Sequence, residues 1–130
     1  MSEINQYNSK GEKEGYWKEY HHYSDKQQSE GNYVDGNKDG LWKNYYNNGQ
    51  LSSEGSYING KVDGYWKHYN SNGKLFIEGS FKNGKQDGLW KSYHSNGQLW
   101  FEGNYINGKR EGYWKYYNRE GELIKEIYYI

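Results

Sequence analysis

The chain has 130 residues, and its 17 basic and 17 acidic side chains cancel to a formal net charge of zero, so no general attraction to nucleic acid or anionic lipid is expected. It contains no cysteine, which excludes disulfides, thiolate metal sites and a cysteine nucleophile. With 18 glycines, no alanine and an aromatic content of 20%, the composition argues against a helical bundle and favours one β-rich domain or a short repeat array.

The first residues of the sequence carry no targeting signal. No basic stretch followed by an apolar core precedes Tyr7, and no apolar run in the chain is long enough to span a membrane. We therefore expect a cytoplasmic protein without a signal peptide or a transmembrane segment.

A repeat of 24 residues organises the rest of the chain. Trp42, Trp66, Trp90 and Trp114 are 24 residues apart, and Trp17 precedes Trp42 by 25. Each copy reads roughly Gly-(Tyr/Leu)-Trp-Lys-x-Tyr, a turn, Leu-x-x-Glu-Gly-x-(Tyr/Phe), and then Asn-Gly-Lys-x-(Asp/Glu). We divide the single domain, residues 1–130, into a partial copy at about 7–15 and repeats at about 15–39, 40–63, 64–87, 88–111 and 112–130.

Turn signals separate the aromatic-rich runs. Asn-Gly or Asp-Gly is typical of a two-residue β-hairpin turn, because glycine accepts a positive φ without strain. Such pairs lie at Asp35-Gly36, Asn48-Gly49, Asn59-Gly60, Asn72-Gly73, Asn83-Gly84, Asn96-Gly97 and Asn107-Gly108. The sequence therefore predicts an all-β fold, an elongated single-layer antiparallel meander of about ten strands that is curved or coiled.

Centring each hairpin on its turn predicts the register. For Asn72-Gly73 the opposed pairs are Trp66 with Gly79, Lys67 with Glu78, His68 with Ile77 and Tyr69 with Phe76. The same construction sets Trp42 beside Gly55 and Trp90 beside Gly103, so that indoles cover bare glycine backbone. Centring on Asn59-Gly60 and Asn83-Gly84 is expected to place Gly55 opposite Gly64 and Gly79 opposite Gly88.

Alternation along the strands assigns two faces. One face is predicted to carry the tryptophans with Leu51, Leu75, Leu99, Leu123, Tyr57, Phe81 and Tyr105. The other is predicted to carry the Lys–Glu pairs with Tyr20, Tyr45, Tyr69, Tyr93 and Tyr117.

The run Glu-Gly-Ser-Phe-Lys-Asn-Gly-Lys-Gln-Asp-Gly at residues 78–88 resembles a MORN repeat, specifically its bacterial variant. The resemblance extends from about Tyr7 to Tyr129, and chains built this way are similar to the YwqK-type antitoxin family. It implies a non-catalytic β-ribbon that binds a partner, with a toxin as the partner proposed for that family. The pattern changes in the first hairpin, where the loop reads Tyr23-Ser24-Asp25, and in the last copy, where Ile127 replaces glycine. We expect these changes to act as caps.

Recurring polar residues do not assemble an active site. Two sets of carboxylates repeat at equivalent positions, which favours a structural role over acid–base chemistry: Glu54, Glu78, Glu102 and Glu126, and Asp39, Asp63, Asp87 and Glu111. His68 and His94 lie on alternate strands, about 10 Å apart, too far for shared metal ligation. We predict no catalytic residue, cofactor or metal ion.

Positions that vary between copies indicate where binding occurs. Aromatic side chains rimmed by charges are typical of interface centres. The predicted partner-protein site consists of Tyr69, Phe76, Tyr93, Trp100, Tyr117 and Ile124. The alternative is that these side chains only stack across strands and stabilise the sheet.

Three functional classes remain. The first is a protein-binding module, such as an antitoxin or immunity protein that occludes a toxin. The second is a carbohydrate or cell-wall binder that uses exposed aromatics, and the third is a membrane-associated scaffold, which zero net charge disfavours. Nucleic acid is not an expected partner, because no unpaired basic stripe is present. Unpaired terminal strands allow edge-to-edge self-association.

Overall fold

A computed structural model describes residues 3–21 and 26–130, which form eleven strands and no helix. The strands are β1 (Gln6–Tyr7), β2 (Lys13–Tyr20), β3 (Gln27–Val34), β4 (Asn37–Tyr45), β5 (Leu51–Ile58), β6 (Lys61–Tyr69), β7 (Leu75–Lys82), β8 (Lys85–Tyr93), β9 (Leu99–Ile106), β10 (Lys109–Tyr117) and β11 (Leu123–Tyr129). They pair in chain order within one antiparallel sheet. The predicted all-β meander of tandem hairpins is confirmed.

The core is a single row of rings on one face of the sheet. The five repeat tryptophans are buried, with at most 8% of each residue exposed. They alternate with Tyr7, Tyr33, Tyr57, Phe81, Tyr105 and Tyr129. Every contact along this row is edge-to-face, with centroids 4.9–6.4 Å apart and interplanar angles of 79–90°. Because the described strands form a single layer, this row of rings is the hydrophobic core of the sheet.

Glycine makes room for each indole. A Cβ atom built at Gly31, Gly55, Gly79 or Gly103 would lie 2.1–2.4 Å from the nearest indole atom of the next tryptophan in the chain. The register pairs Gly55 with Trp42, as predicted, but the indole that covers Gly55 belongs to Trp66 on the following strand. That indole donates its N–H to the carbonyl of Ser56 at 3.2 Å. The predicted covering of glycine by tryptophan is confirmed, with the coverage coming from the next hairpin.

Two kinds of connection alternate along the sheet. At Asp35-Gly36, Asn59-Gly60, Asn83-Gly84 and Asn107-Gly108 both residues have positive φ, between 49° and 81°, so these two-residue turns are confirmed. At Asn72-Gly73 only the glycine has a positive φ, and the loop closes through Asn70 N–H to Lys74 O at 2.9 Å. The predicted two-residue turns at Asn48-Gly49, Asn72-Gly73 and Asn96-Gly97 are therefore wrong, because the chain makes a wider loop there.

A β-bulge beside each wide loop shifts the register by one residue. Trp66 with Gly79 and Lys67 with Glu78 pair as predicted, but Tyr69 lies opposite Leu75 instead of Phe76. Directly opposed residues point to the same face, so the predicted placement of the leucines on the tryptophan face is wrong. The extra residue in β7 is Phe76.

The glycine–glycine pairs predicted across the two-residue turns are also wrong. Between β5 and β6 the register shifts beyond Tyr57, and Gly55 lies opposite Trp66 instead of Gly64. Gly64 has a φ of 85° and lies within the irregular segment. The equivalent irregularity separates Gly79 from Gly88. These extra residues bring each tryptophan level with the glycine that it covers.

The ends of the sheet depart from the repeat. At the first strand, the Asn5 side chain contacts both backbone polar groups of Lys18, accepting from N–H at 2.8 Å and donating to the carbonyl at 3.1 Å. At the last hairpin, Ile127 lies opposite Trp114, where earlier copies have glycine. The predicted three-residue loop Tyr23-Ser24-Asp25 lies outside the described residues.

Candidate binding site

The bulges bring large aromatic side chains to the surface at the loop end of the strands. Phe76 is the extra residue of β7, and Trp100 is the equivalent residue of β9. They are 43% and 39% exposed, whereas the tryptophans of the core are buried. The same bulge in β5 carries Ser52, so the exposed aromatics are not needed to form the bulge.

Phe76 and Trp100 belong to a group of side chains around a surface cavity of about 460 Å³. We call this group the Trp100 cluster; its members are Asn70, Phe76, Tyr93, His94, Ser95, Trp100 and Arg119. The His94 and Trp100 rings are 5.5 Å apart and inclined by 32°, and Phe101 lies edge-on to Trp100 at 5.2 Å. Ring packing therefore supports the exposed indole from two sides.

Hydrogen bonds between successive loops hold the polar members in place. His94 donates from its ring nitrogen Nε2 to the carbonyl of Tyr117 at 2.7 Å. Arg119 Nη1 donates to Ser95 Oγ at 2.8 Å, and Asn96 Nδ2 donates to the carbonyl of Arg119 at 2.9 Å. These contacts join the loop after β8 to the loop after β10, and Asn70 and Phe76 come from the preceding hairpin, so the cluster is built across three repeats.

A second cavity of about 370 Å³ adjoins the first and shares Tyr93 with it. Lys74, Leu75, Asn96 and Gly97 complete its lining. Lys74 Nζ donates to the carbonyl of Ser95 at 3.2 Å. Tyr93 therefore stands between two concave regions, each of which has one cation in its lining.

Tyrosine hydroxyls donate hydrogen bonds to carboxylates of this face. Tyr93 donates to Glu78 Oε2 at 2.8 Å, and Tyr65 donates to the other oxygen of the same carboxylate. Burial opposes ionisation of Glu78, but these hydrogen bonds and the charges of Lys67 and Lys91 outweigh it and lower the pKa of Glu78. Burial, reinforced by Glu78, raises the pKa of Tyr93 and raises that of Tyr65 to about 12.

The predicted Lys–Glu pairs are opposed in the register but are not close ion pairs. Lys67 lies opposite Glu78, and Lys91 lies opposite Glu102. Between described residues, the one ion pair within 4.0 Å is Lys13 with Glu19, at 2.7 Å. Glu54 and Glu78 instead accept hydrogen bonds from tyrosine hydroxyls.

The structure brings three of the six predicted site residues together: Phe76, Tyr93 and Trp100. The other three do not line the cavity. Tyr69 donates its hydroxyl to Glu54 at 3.0 Å, Tyr117 contributes only its carbonyl to His94, and Ile124 is exposed on β11. Whether any of the six contacts a partner stays a prediction.

Sequence reasoning missed four members of the Trp100 cluster: Asn70, His94, Ser95 and Arg119. One signal was available, because the position four residues after each tryptophan varies from Tyr46 to Asn70 and His94. Arg119 had no such signal, since it belongs to the loop after β10 and reaches the cluster only through the sheet.

Among the described residues, His68, His94 and Asp63 make separate local contacts. His68 stacks on Trp66 on the core face, with ring centroids 6.0 Å apart, whereas His94 lies in the Trp100 cluster. Asp63 accepts the backbone N–H of Asn83 at 3.2 Å and so supports a turn. Within residues 3–21 and 26–130, no group of three or more His, Cys, Asp or Glu side chains could hold a metal ion.

No helix that could cross a membrane occurs in the part of the chain that the structure describes.

The fold and its exposed cluster define the class of the protein, an open antiparallel repeat sheet with a surface suited to binding. A family model for the MORN repeat variant matches residues 38–59, 62–83, 86–107 and 110–130. The chain belongs to this family. The first hairpin lies outside the matched segments, although it pairs Trp17 with Gly31 as the later copies do. No curated protein matches the chain.

Proposed function

We propose that the chain is a non-catalytic protein-binding module and that its binding site is the Trp100 cluster. The observation that supports this proposal is the exposure of two large aromatic side chains, Phe76 and Trp100, around a concave surface with a polar rim. Aromatic anchors surrounded by polar groups are typical of interface hot spots. Phe76 and Trp100 lie outside the row of buried rings that forms the core.

The finer proposal is that the partner is a toxin and that the chain is an antitoxin or immunity protein acting in the cytoplasm. Its support is the resemblance of the repeats to the YwqK-type antitoxin family. Such a protein needs a rigid surface that covers its partner, and no chemistry of its own. A row of tandem hairpins supplies this surface, because each hairpin is ordered by its neighbours.

A comparison of three proteins tests the binding role. The first is the natural chain, the second carries Phe76→Ser with Trp100→Ser, and the third carries Leu89→Ser as a control, since Leu89 is similarly exposed at 46% but lies outside the cluster. Each protein is immobilised and exposed to native lysate, and retained proteins are identified by mass spectrometry.

We expect the natural chain and the control to retain the same partner and the double variant to lose it. Circular dichroism should show all three folded, because the substituted residues are outside the core row. A partner retained equally by the double variant would exclude the cluster as its site. Identification of a toxin among the retained proteins is required by the finer proposal.

Carbohydrate is the alternative ligand that the same site suggests. Trp100 presents an exposed ring with Asn70, Ser95 and Arg119 nearby, and such flat rings stack on sugars while polar groups bond to hydroxyls. Retention of the natural chain on insoluble polysaccharide, with loss in the Trp100→Ser variant, would favour this function over protein binding.

A further inference from the structure

The charged side chains that line the Trp100 cluster and the adjoining cavity are all cations. The cavities on either side of Tyr93 have Lys74 and Arg119 in their linings and no carboxylate. The chain as a whole has equal numbers of basic and acidic side chains, whereas the linings of these two cavities contain cations alone. Glu120 and Glu122 share a loop with Arg119, but neither lines either cavity.

Neither cation is neutralised by the contacts that position it. Lys74 Nζ donates to the Ser95 carbonyl at 3.2 Å, and Arg119 Nη1 donates to Ser95 Oγ at 2.8 Å. Both acceptors are uncharged. A lysine has three donors and an arginine has five, so each side chain keeps donors for a further acceptor. Carboxylates are the acceptors that such donors bind most strongly, and arginine binds them through two parallel hydrogen bonds.

Tyr93 connects the cluster to the carboxylate of Glu78. Glu78 accepts hydrogen bonds from the hydroxyls of Tyr65 and Tyr93. Tyr93 therefore directs its hydroxyl toward Glu78 and offers its ring to the cavities. The apolar lining of the first cavity is consequently aromatic, formed by Tyr93 with Phe76 and Trp100.

From this arrangement we propose that the cluster binds a protein segment in which an aromatic or large aliphatic side chain is flanked by carboxylates. The inference rests on the proposed protein-binding function and specifies the chemistry of the partner. The apolar side chain packs against Phe76 and Trp100, one carboxylate pairs with Arg119, and the other pairs with Lys74. Opposite charge at the rim selects the partner and speeds its encounter, while the apolar contact provides most of the affinity.

Two synthetic peptides that differ only in charge test the proposal. The probes are acetyl-Asp-Phe-Asp-amide and acetyl-Asn-Phe-Asn-amide, which have nearly the same shape. Binding is followed by the chemical shift of the Trp100 indole N–H in isotope-labelled protein, assigned by its loss in a Trp100→Phe variant. At low salt we expect the acidic peptide to bind about five-fold more tightly, the effect of two exposed ion pairs. The difference should largely vanish at about 0.5 M salt.

Variants then identify the cations. Arg119→Gln and Lys74→Gln should each reduce the preference for the acidic peptide, and the double variant should remove it. Lys61→Gln is the matched control, because it changes the net charge equally but lies next to Asn59-Gly60 at the opposite end of the strands. Circular dichroism and the unchanged affinity for the neutral peptide establish that the variants are folded.

The outcomes separate this inference from the binding role. Equal affinity for both peptides, or equal loss in the Lys61→Gln control, overturns the acidic-segment proposal and leaves the cluster as an apolar binding site. Absence of any shift at Trp100 with either peptide also overturns it. A lysate partner that depends on Phe76 and Trp100 would uphold the binding role in either case.

Discussion

Substitution of a single glycine tests the packing of the core row most directly. Gly79→Ala adds one methyl group, and its carbon would lie 2.1 Å from Cδ2 of the Trp90 indole. Real Cβ contacts are essentially never this short, and the indole also makes edge-to-face contacts with Phe81 and Tyr105. The Trp90 ring must therefore leave its position, or the two strands must separate.

The loss of folding free energy can be worked out from the burial and the hydrogen bond that the Trp90 indole gives up. Trp90 is 3% exposed, so displacement of its ring returns most of about 200 Å² to water, worth up to about 5 kcal/mol at 25 cal/mol per Å². Its N–H also loses the hydrogen bond to the Ser80 carbonyl at 3.0 Å, a further ~1 kcal/mol. Partial relaxation of the neighbouring strands recovers part of this. We expect the free energy of unfolding to fall by about 3–5 kcal/mol.

A double-mutant cycle with Trp90→Ala isolates the clash. Free energies of unfolding are measured by urea denaturation, followed by far-UV circular dichroism, for the natural chain, both single variants and the double variant. Without the indole, alanine at position 79 should be neutral or slightly stabilising, because glycine is the poorer strand residue. The coupling energy should then approach the whole cost of Gly79→Ala. A loss below about 1 kcal/mol, or the same loss with and without Trp90, would refute the steric explanation.

Three further predictions concern the ends and turns of the sheet. Burial opposes ionisation of Glu19, but hydrogen bonding and charge from Lys13 lower the pKa of Glu19 below its ordinary 4.5. This carboxylate therefore stabilises the fold at neutral pH, and its contribution is lost as the pH falls below that value. Glu19→Gln should flatten the loss of stability between about pH 5 and 3 in urea titrations. Asn5→Ala removes both side-chain contacts to Lys18, so the Lys18 amide should exchange with deuterium about ten-fold faster by NMR, and an unchanged rate would contradict a stabilising role for these contacts. Gly84→Ala forces a side chain into a turn where φ is 81°, so thermal unfolding should show a loss of about 1 kcal/mol although nothing lies within 4 Å of the added carbon.

Local chemistry determined most of the fold. Tryptophan spacing, Asn-Gly pairs and alternation were sufficient to predict the meander, the pairing of Trp66 with Gly79 and the covering of glycine by indole. These features depend on turn geometry and on the alternation of side chains along a strand, both of which are encoded within about 24 residues of sequence.

The register near the loops could not be predicted in the same way. Asn59-Gly60 and Asn72-Gly73 have the same two residues, yet one makes a two-residue turn and the other is part of a wider loop with a bulge. The irregular segments at Gly64 and Gly88 bring each tryptophan opposite the glycine that it covers. This register involves three strands at once, so it could not be predicted from the sequence of one hairpin.

The composition of the binding cluster also depends on contacts between different hairpins. Phe76, Tyr93 and Trp100 could be selected from sequence because they vary or repeat with the period of the array. Arg119 joins them only because the loop after β10 lies beside the loop after β8 in the sheet. Sequence by itself therefore determined which residues form hairpins and which rings cover glycine, since both are properties of neighbouring residues in one or two copies. Tertiary structure alone decided which side chains of different copies share a cavity, because that depends on the bulges and on contacts between loops of successive hairpins.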